Sequence, residues 1–298
     1  MNVYHQDRFV QDLKGSEMID VHTHIGGVKS WYKGLKGIIF VSEGDLLNYL
    51  ADVGIDRAVV LPTPQIDASS GEYIYSSERV LRICRFHEEL LPFCCLNFGS
   101  IENEILDILE EYVSKGALGY GEHKVRLPID HPRSLEIYEA CGVIGIPVLM
   151  HVDDAHNYRF EEAFPKLAAK YSKTIFIMHG PGWWRHISAD PGSEPYPKGP
   201  VKPHGLIDKL LENENVYADI SATSGLNALQ RDKNYAREFL ENHRLKILYG
   251  TDFPCIDNYG GEYGVDRLHL NLLESLGLKD KTFENITHKN AERLLRIS

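Results

Sequence analysis

Four apolar runs in this chain end on side chains that bind metals. The first reads Met18-Ile19-Asp20-Val21-His22-Thr23-His24, and the others run from Ile146 to His151, from Thr174 to His179 and from Ile247 to Asp252. Residues two apart on a strand share a face, so His22 and His24 can grip one ion together. Imidazole and carboxylate are the donors expected of a catalytic zinc or similar ion that keeps one position open for water. A single histidine at a strand end is usually a hydrogen-bonded structural residue. A His-x-His pair, two Met-His strand ends and a terminal aspartate, all in barrel order, point instead to a metalloenzyme.

The elements that would position these residues alternate along the chain. Apolar runs near 18–23, 57–62, 92–97, 117–123, 146–151, 174–179, 215–220 and 246–251 read as strands. Between them, amphipathic segments at 43–53, 77–90, 102–115, 133–144, 160–171, 204–213 and 230–243 carry apolar residues at helical spacing. Ser42 is a plausible cap for the first helix and Gly54 its stop, and the tail from Asn285 to Arg296 supplies a closing helix. This is the α/β pattern of βα units on a parallel sheet, and 298 residues suit a (β/α)8 TIM barrel spanning 1–298 as one domain. The long connections from Ile25 to Val41 and from Gly180 to Pro203 follow strands with candidate ligands and are expected to form the pocket mouth.

Composition narrows the function classes. A hydrophobic content of 43% fills a sizeable core, and no apolar stretch approaches the ~20 residues of a membrane span. The first residues lack the basic and apolar segments of a secretory signal, so a cytoplasmic location is expected. Five cysteines (Cys84, Cys94, Cys95, Cys141, Cys255) without Cys-x-x-Cys spacing fit reduced, mostly buried thiols. A formal charge of −11 disfavours nucleic acid as a partner. The expected partner is a small molecule, with no membrane and with self-association left open.

Further polar residues cluster where strands four and six meet the mouth. Ala117 to Arg126 ends in Glu122-His123-Lys124-Val125-Arg126, where period two puts Glu122 and Lys124 on one side and His123 on the other. Glu122 is a candidate metal ligand or a salt-bridge partner of Lys124, Arg126 or Arg185. Lys124 and Arg126 could hold a substrate carboxylate. Trp183 and Trp184 could pack on a ring-shaped organic acid or serve as packing anchors. Asp153, Asp154 and His156 could orient His151 or form a solvated loop. Ser221 and Ser224 could touch substrate, whereas Cys255 reads as packing.

Asp20-Val21-His22-Thr23-His24, the segment from Gly54 to Pro62, Gly250-Thr251-Asp252-Phe253-Pro254 and Asn290-Ala291-Glu292-Arg293-Leu294-Leu295 together resemble the amidohydrolase superfamily. The likeness is closest to the amidohydrolase-related (amidohydrolase 2) branch, which includes lactonases and nonoxidative decarboxylases such as aminocarboxymuconate-semialdehyde decarboxylase. It runs from about residue 18 to 296. The resemblance implies a barrel whose first, fifth, sixth and eighth strands supply His22, His24, His151, His179 and Asp252. Gly121-Glu122 is similar to the strand-end Gly-Glu of TatD-type nucleases, where the carboxylate binds the metal centre, and this makes Glu122 a candidate bridge between two ions. His179 is then either a ligand to a second ion or, as in the decarboxylase relatives, an unmetallated general acid.

A divalent ion held by imidazoles makes bound water acidic and polarises a carbonyl, and Asp252 can shuttle the proton. The sequence therefore predicts a metal-dependent hydrolase of a small carboxylic ester, lactone or amide. Its catalytic residues are Asp252 and His179, and its metal ligands come from His22, His24, Glu122, His151, His179 and Asp252. Zinc is the expected ion, in one copy or two, with the surplus of ligands favouring two. The alternatives are a metal-dependent decarboxylase of an unsaturated or aromatic acid and a barrel that binds a small molecule without turning it over.

Overall fold

The structure, a computed structural model, describes residues 18–29, 38–63, 73–97, 104–256 and 260–297. In chain order the strands are β1 (Ile19–Thr23), β2 (Gly26–Lys29), β3 (Ile38–Val41), β4 (Arg57–Val60), β5 (Tyr73–Ile74), β6 (Leu90–Cys94), β7 (Gly119–His123), β8 (Val148–His151), β9 (Phe176–His179), β10 (Val216–Asp219) and β11 (Ile247–Leu248). Eight of them run parallel in the order β1-β4-β6-β7-β8-β9-β10-β11. The sheet curls until its ends meet: Val21 N–H donates to the Tyr249 carbonyl at 3.0 Å and Asp252 N–H to the His22 carbonyl at 2.8 Å. Helices surround this ring, and the chain is a TIM barrel with all eight expected strands in place.

Local chemistry explains the helix ends. Ser42 and Asp45 cap the helix Glu43–Val53 reciprocally, and Gly54 stops it at φ 80°, where a side chain would be strained. The helix expected over 230–243 is Lys233–Asn242, capped by Asp232 through Tyr235 N–H, and a separate helix, Ala222–Gln230, precedes it without having been anticipated. A helix at Leu268–Ser275 was not anticipated. The connection expected from Ile25 to Val41 is not simply a loop, since β2 pairs with β3 and β5 in a small antiparallel sheet; residues 30–37 of it lie outside the described residues. No helix among the described residues is long and apolar enough to cross a membrane.

Two apolar layers separate the faces of the barrel strands. Val148, Met150, Phe176 and Met178 pack outward against the helices. Leu149, Ile177, Tyr217 and Leu248 fill the interior with Ala291, Leu294 and Leu295 of the helix Asn290–Leu295. By this alternation His151 and His179 point inward, one step beyond Leu149 and Ile177.

Strict alternation fails at two places. Three steps of β1 from Asp20 to Thr23 lie opposite two steps of β4 from Ala58 to Val60. Likewise, three steps of β7 from Tyr120 to His123 lie opposite two of β8 from Val148 to Met150. Each is a bulge, which re-aims the side chains beyond it. On β1 the adjacent Val21 and His22 both face the interior. On β7, Tyr120 and His123 both face outward, and Glu122 between them faces in. Gly121, at φ 148°, makes the second bulge feasible, because a Cβ there would lie 2.7 Å from the Leu149 carbonyl oxygen.

Gly121→Ala is therefore expected to cost about 1–3 kcal/mol through strain and overpacking. A thermal melt should show a midpoint several degrees lower, and an unchanged midpoint would contradict the close packing described for this bulge.

Candidate metal centre at the barrel mouth

The strand ends bring seven ionisable side chains into one small volume. His151 and His179 are register partners on β8 and β9, Glu122 leans in from β7, and Asp219 ends β10. His22 and His24 come from the end of β1. Asp252 follows β11 in a left-handed turn, φ 66°, a conformation that costs energy for a residue with a side chain and is common at functional sites.

Each imidazole is held by a partner on its outward side. His22 Nδ1 lies 3.0 Å from Asp219 Oδ2 and His179 Nδ1 lies 3.2 Å from Asp219 Oδ1. His24 Nδ1 lies 2.8 Å from the Leu61 carbonyl, and His151 Nε2 lies 2.9 Å from Asp153 Oδ2. In His22, His24 and His179 an outward nitrogen that donates to oxygen carries the proton and leaves the inward nitrogen as a lone pair, the arrangement typical of metal-binding histidines, whereas His151 has a carboxylate at each nitrogen.

The inward atoms converge on two carboxylates. Asp252 Oδ1 lies 3.3 Å from His24 Nε2 and 3.6 Å from His22 Nε2. Glu122 sits between this group and the other two rings, with Oε2 at 3.7 Å from His24 Nε2 and Oε1 at 2.8 Å from His151 Nδ1 and 3.8 Å from His179 Nε2. His22, His24 and Glu122 form one set of potential ligand atoms within 4.8 Å of one another, and Glu122, His151 and His179 form another. The donor set fits a divalent cation on an independent count too. His22 Nε2 is buried without a hydrogen-bond partner, and a buried polar atom left so is costly unless something binds it.

Electrostatics in the cluster follow from burial and pairing. Burial opposes the charge on Glu122, but the Lys124 ammonium and the His151 contact outweigh it and hold the carboxyl well below the usual range. Burial likewise opposes the Asp219 charge, and His179 and His22 overcome it, again driving the pKa far down. Burial depresses His22, yet Asp219 wins and its pKa rises. In His151, burial and then Lys124 act downward, and the hydrogen bonds to Asp153 and Glu122 reverse them. The inward carboxylates thus stay ionised and draw positive charge into the site. Asp252 is the most open of the cluster, at 18% side-chain exposure against 3% for Glu122.

His22, His24, Glu122, His151, His179 and Asp252 are all brought together, although His151 approaches through Glu122 and not through Asp252. Lys124 is half-buried and near enough to act on Glu122, whereas Arg126 is exposed. Arg185 pairs with Asp154 at 2.9 Å, so it does not compete for Glu122. Trp183 and Trp184 require a correction as a substrate platform. They are 0% and 1% exposed, Trp183 packs edge-on against Phe160, and Trp184 Nε1 donates to the Asp219 carbonyl at 2.9 Å. Neither ring offers a face for a ligand to stack on.

Asp219 was missed from sequence, although it ends the run Val216-Tyr217-Ala218-Asp219 just as the recognised candidates end theirs. Asp153 is a partly exposed carboxylate held in place: its Oδ1 accepts from Ala155 N–H at 2.7 Å and His156 N–H at 2.6 Å. Asp20, inside the His-x-His motif, also has a task. It accepts from His22 N–H at 3.0 Å, Thr251 N–H at 3.1 Å, Thr251 Oγ1 at 2.6 Å and Tyr49 OH at 2.9 Å, tying the β1 bulge to the end of β11.

A parallel barrel with such a cluster at the C-terminal strand ends places the chain among TIM-barrel proteins with a site at the usual face. The sequence profile of the amidohydrolase 2 family, described as Amidohydrolase, matches residues 19–297, and the chain belongs to that family. No curated protein sequence matches it significantly. Among solved structures, a protein from Agrobacterium tumefaciens superposes with a TM-score of 0.63 at 15% identity, covering 95% of this chain and 97% of its own. A probable 2-pyrone-4,6-dicarboxylic acid hydrolase from Acinetobacter baumannii, with citric acid bound, gives 0.60 at 13% identity over 94% and 100%. The 2,6-dihydroxybenzoate decarboxylase from Rhizobium gives 0.57 at 13% identity over 94% and 99%. Likeness at these identities is likeness of fold.

Removing the partner of His151 tests whether outward contacts matter. Asp153→Ala is expected to weaken divalent-metal binding about 10–100-fold while leaving the circular dichroism spectrum unchanged. Calorimetric titration with Zn2+ reads this directly, and wild-type affinity in the variant would show that Asp153 does not orient the ring.

Proposed function

We propose that the protein is a metal-dependent hydrolase that cleaves a small carboxylic ester, lactone or amide. The observation that carries this reading is the position of Glu122 between two groups of inward imidazole nitrogens, beside the more open Asp252. His22, His24 and Asp252 would hold one cation, His151 and His179 a second, and Glu122 both. Zinc, which takes nitrogen and oxygen donors without geometric preference, is the ion proposed. When bound, such cations supply an electrophile for a carbonyl and make water acidic near neutrality.

The chain's own residues do the rest. Asp252, ionised and facing the mouth, takes the proton of the attacking water as its oxygen bonds to the acyl carbon. The same proton then goes to the leaving alkoxide or amine as its bond to that carbon breaks. Lys124, beside Glu122, steadies a carboxylate elsewhere on the substrate. Fully buried His22, His24 and His179 keep bulk water from the inner side, so the substrate enters past Asp252.

A second reading, nonoxidative decarboxylation, is favoured by the decarboxylase among the structural neighbours, and in it His179 without a cation delivers the proton. A panel of lactones, esters, amides and aromatic or unsaturated acids separates the two. Turnover of a lactone, ester or amide, lost on chelation and restored by Zn2+, is expected. Carbon dioxide release without hydrolysis of any panel member would reverse the order. Asp252→Asn should lower kcat about 100-fold or more. Glu122→Gln should reduce the metal content from two ions per chain, measured by elemental analysis. Unchanged metal content in Glu122→Gln, or one ion in the fully loaded wild type, would overturn the shared role of Glu122.

A further inference from the structure

Asp219 touches one imidazole from each half of the cluster. Its Oδ2 meets His22 Nδ1 at 3.0 Å and its Oδ1 meets His179 Nδ1 at 3.2 Å. Neighbouring groups hold this carboxylate between the two rings. Ser221 N–H donates to Oδ1 at 3.0 Å, the Ser221 hydroxyl donates to the same oxygen, and that hydroxyl also lies 3.1 Å from His22 Nδ1 and 2.8 Å from His179 Nδ1. Trp184 fixes the backbone behind it, and the side chain is 0% exposed. The two rings lie 4.4 Å apart between centroids, tilted by 56°, so rotation of either disturbs the other.

We propose that Asp219 is a positioning residue that couples the two cation positions, so that loading one favours loading the other. The inference rests on the two-cation reading above. A carboxylate held between two N–H donors fixes both rings in the tautomer whose Nε2 lone pair faces inward. A cation that locks His22 in that state holds Asp219 where His179 needs it, and the reverse holds equally, because linkage between sites is reciprocal. An amide cannot do this. An asparagine has one accepting and one donating group, so it supports the inward lone pair on one ring and drives the other ring to the opposite tautomer.

The experiment is a titration of metal-free wild type, Asp219→Asn and Asp219→Ala with Co2+, followed by visible absorption and by calorimetry, on samples shown to be folded by circular dichroism. Wild type is expected to bind two ions with a Hill coefficient above one. Asp219→Asn should keep one ion near wild-type affinity and bind the other about 10–100-fold more weakly, and Asp219→Ala should weaken both and bind them independently. If Asp219→Ala does not fold, the isosteric Asp219→Asn alone decides. Two ions per chain with the same isotherm in wild type and Asp219→Asn would overturn the coupling while leaving the two-cation reading intact. One ion per wild-type chain would overturn that reading and the coupling together.

Discussion

Four imidazoles sharing one buried volume constrain the rest of this structure. An ionisable group taken out of water is costly unless its partners are supplied by the protein. Here each ring is anchored on its outward side by an oxygen of fixed position: Asp219 for His22 and His179, the Leu61 carbonyl for His24, Asp153 for His151. The anchors are themselves anchored, Asp219 by Ser221 and Asp153 by the backbone of Ala155 and His156. A cluster built in this way is preorganised, with its inward atoms held near one another by hydrogen bonds made on the far side of each ring.

The barrel does not supply that arrangement by its regular geometry alone. Regular strands would carry the inward phase of Ile19 and Val21 on to Thr23 and leave His22 facing the helices. The bulge on β1 reverses the phase at the needed residue, and Asp20 holds the reversal through the His22 amide while reaching Thr251 at the end of β11. Burial raises the Asp20 carboxyl to about 6 despite the hydrogen bonds of Thr251, His22 and Tyr49. The second bulge does for Glu122 what the first does for His22. Both irregularities sit beside the site, where such local departures recur because they aim a side chain.

Strands and ligand candidates were legible because their signals are local. A run such as Thr174-Ile175-Phe176-Ile177-Met178-His179 declares both its conformation and its final donor within six residues, and the cap at Ser42 with its stop at Gly54 is equally self-contained. Asp219 ends a run of the same kind, yet its role depends on rings from β1 and β9 that meet only in the folded barrel. The bulges are register relations between strands, and a single strand's pattern does not contain them. Trp183 and Trp184 misled for a related reason: a loop position adjacent to a ligand suggests exposure, but the short helix Pro181–Trp184 turns both rings into the core.

The seam where the barrel closes joins its first strand to its last. Asp20 and Thr251, which bond across it, lie 231 residues apart in the chain. At about 5–20 residues per second, ribosomal synthesis separates their emergence by roughly 10–50 s. Through that interval the growing chain carries His22 and His24 without Asp252, and the neighbouring β4 can pair with β1 on one side only. Completion of the cluster therefore waits for the arrival of β11 and the turn that follows it.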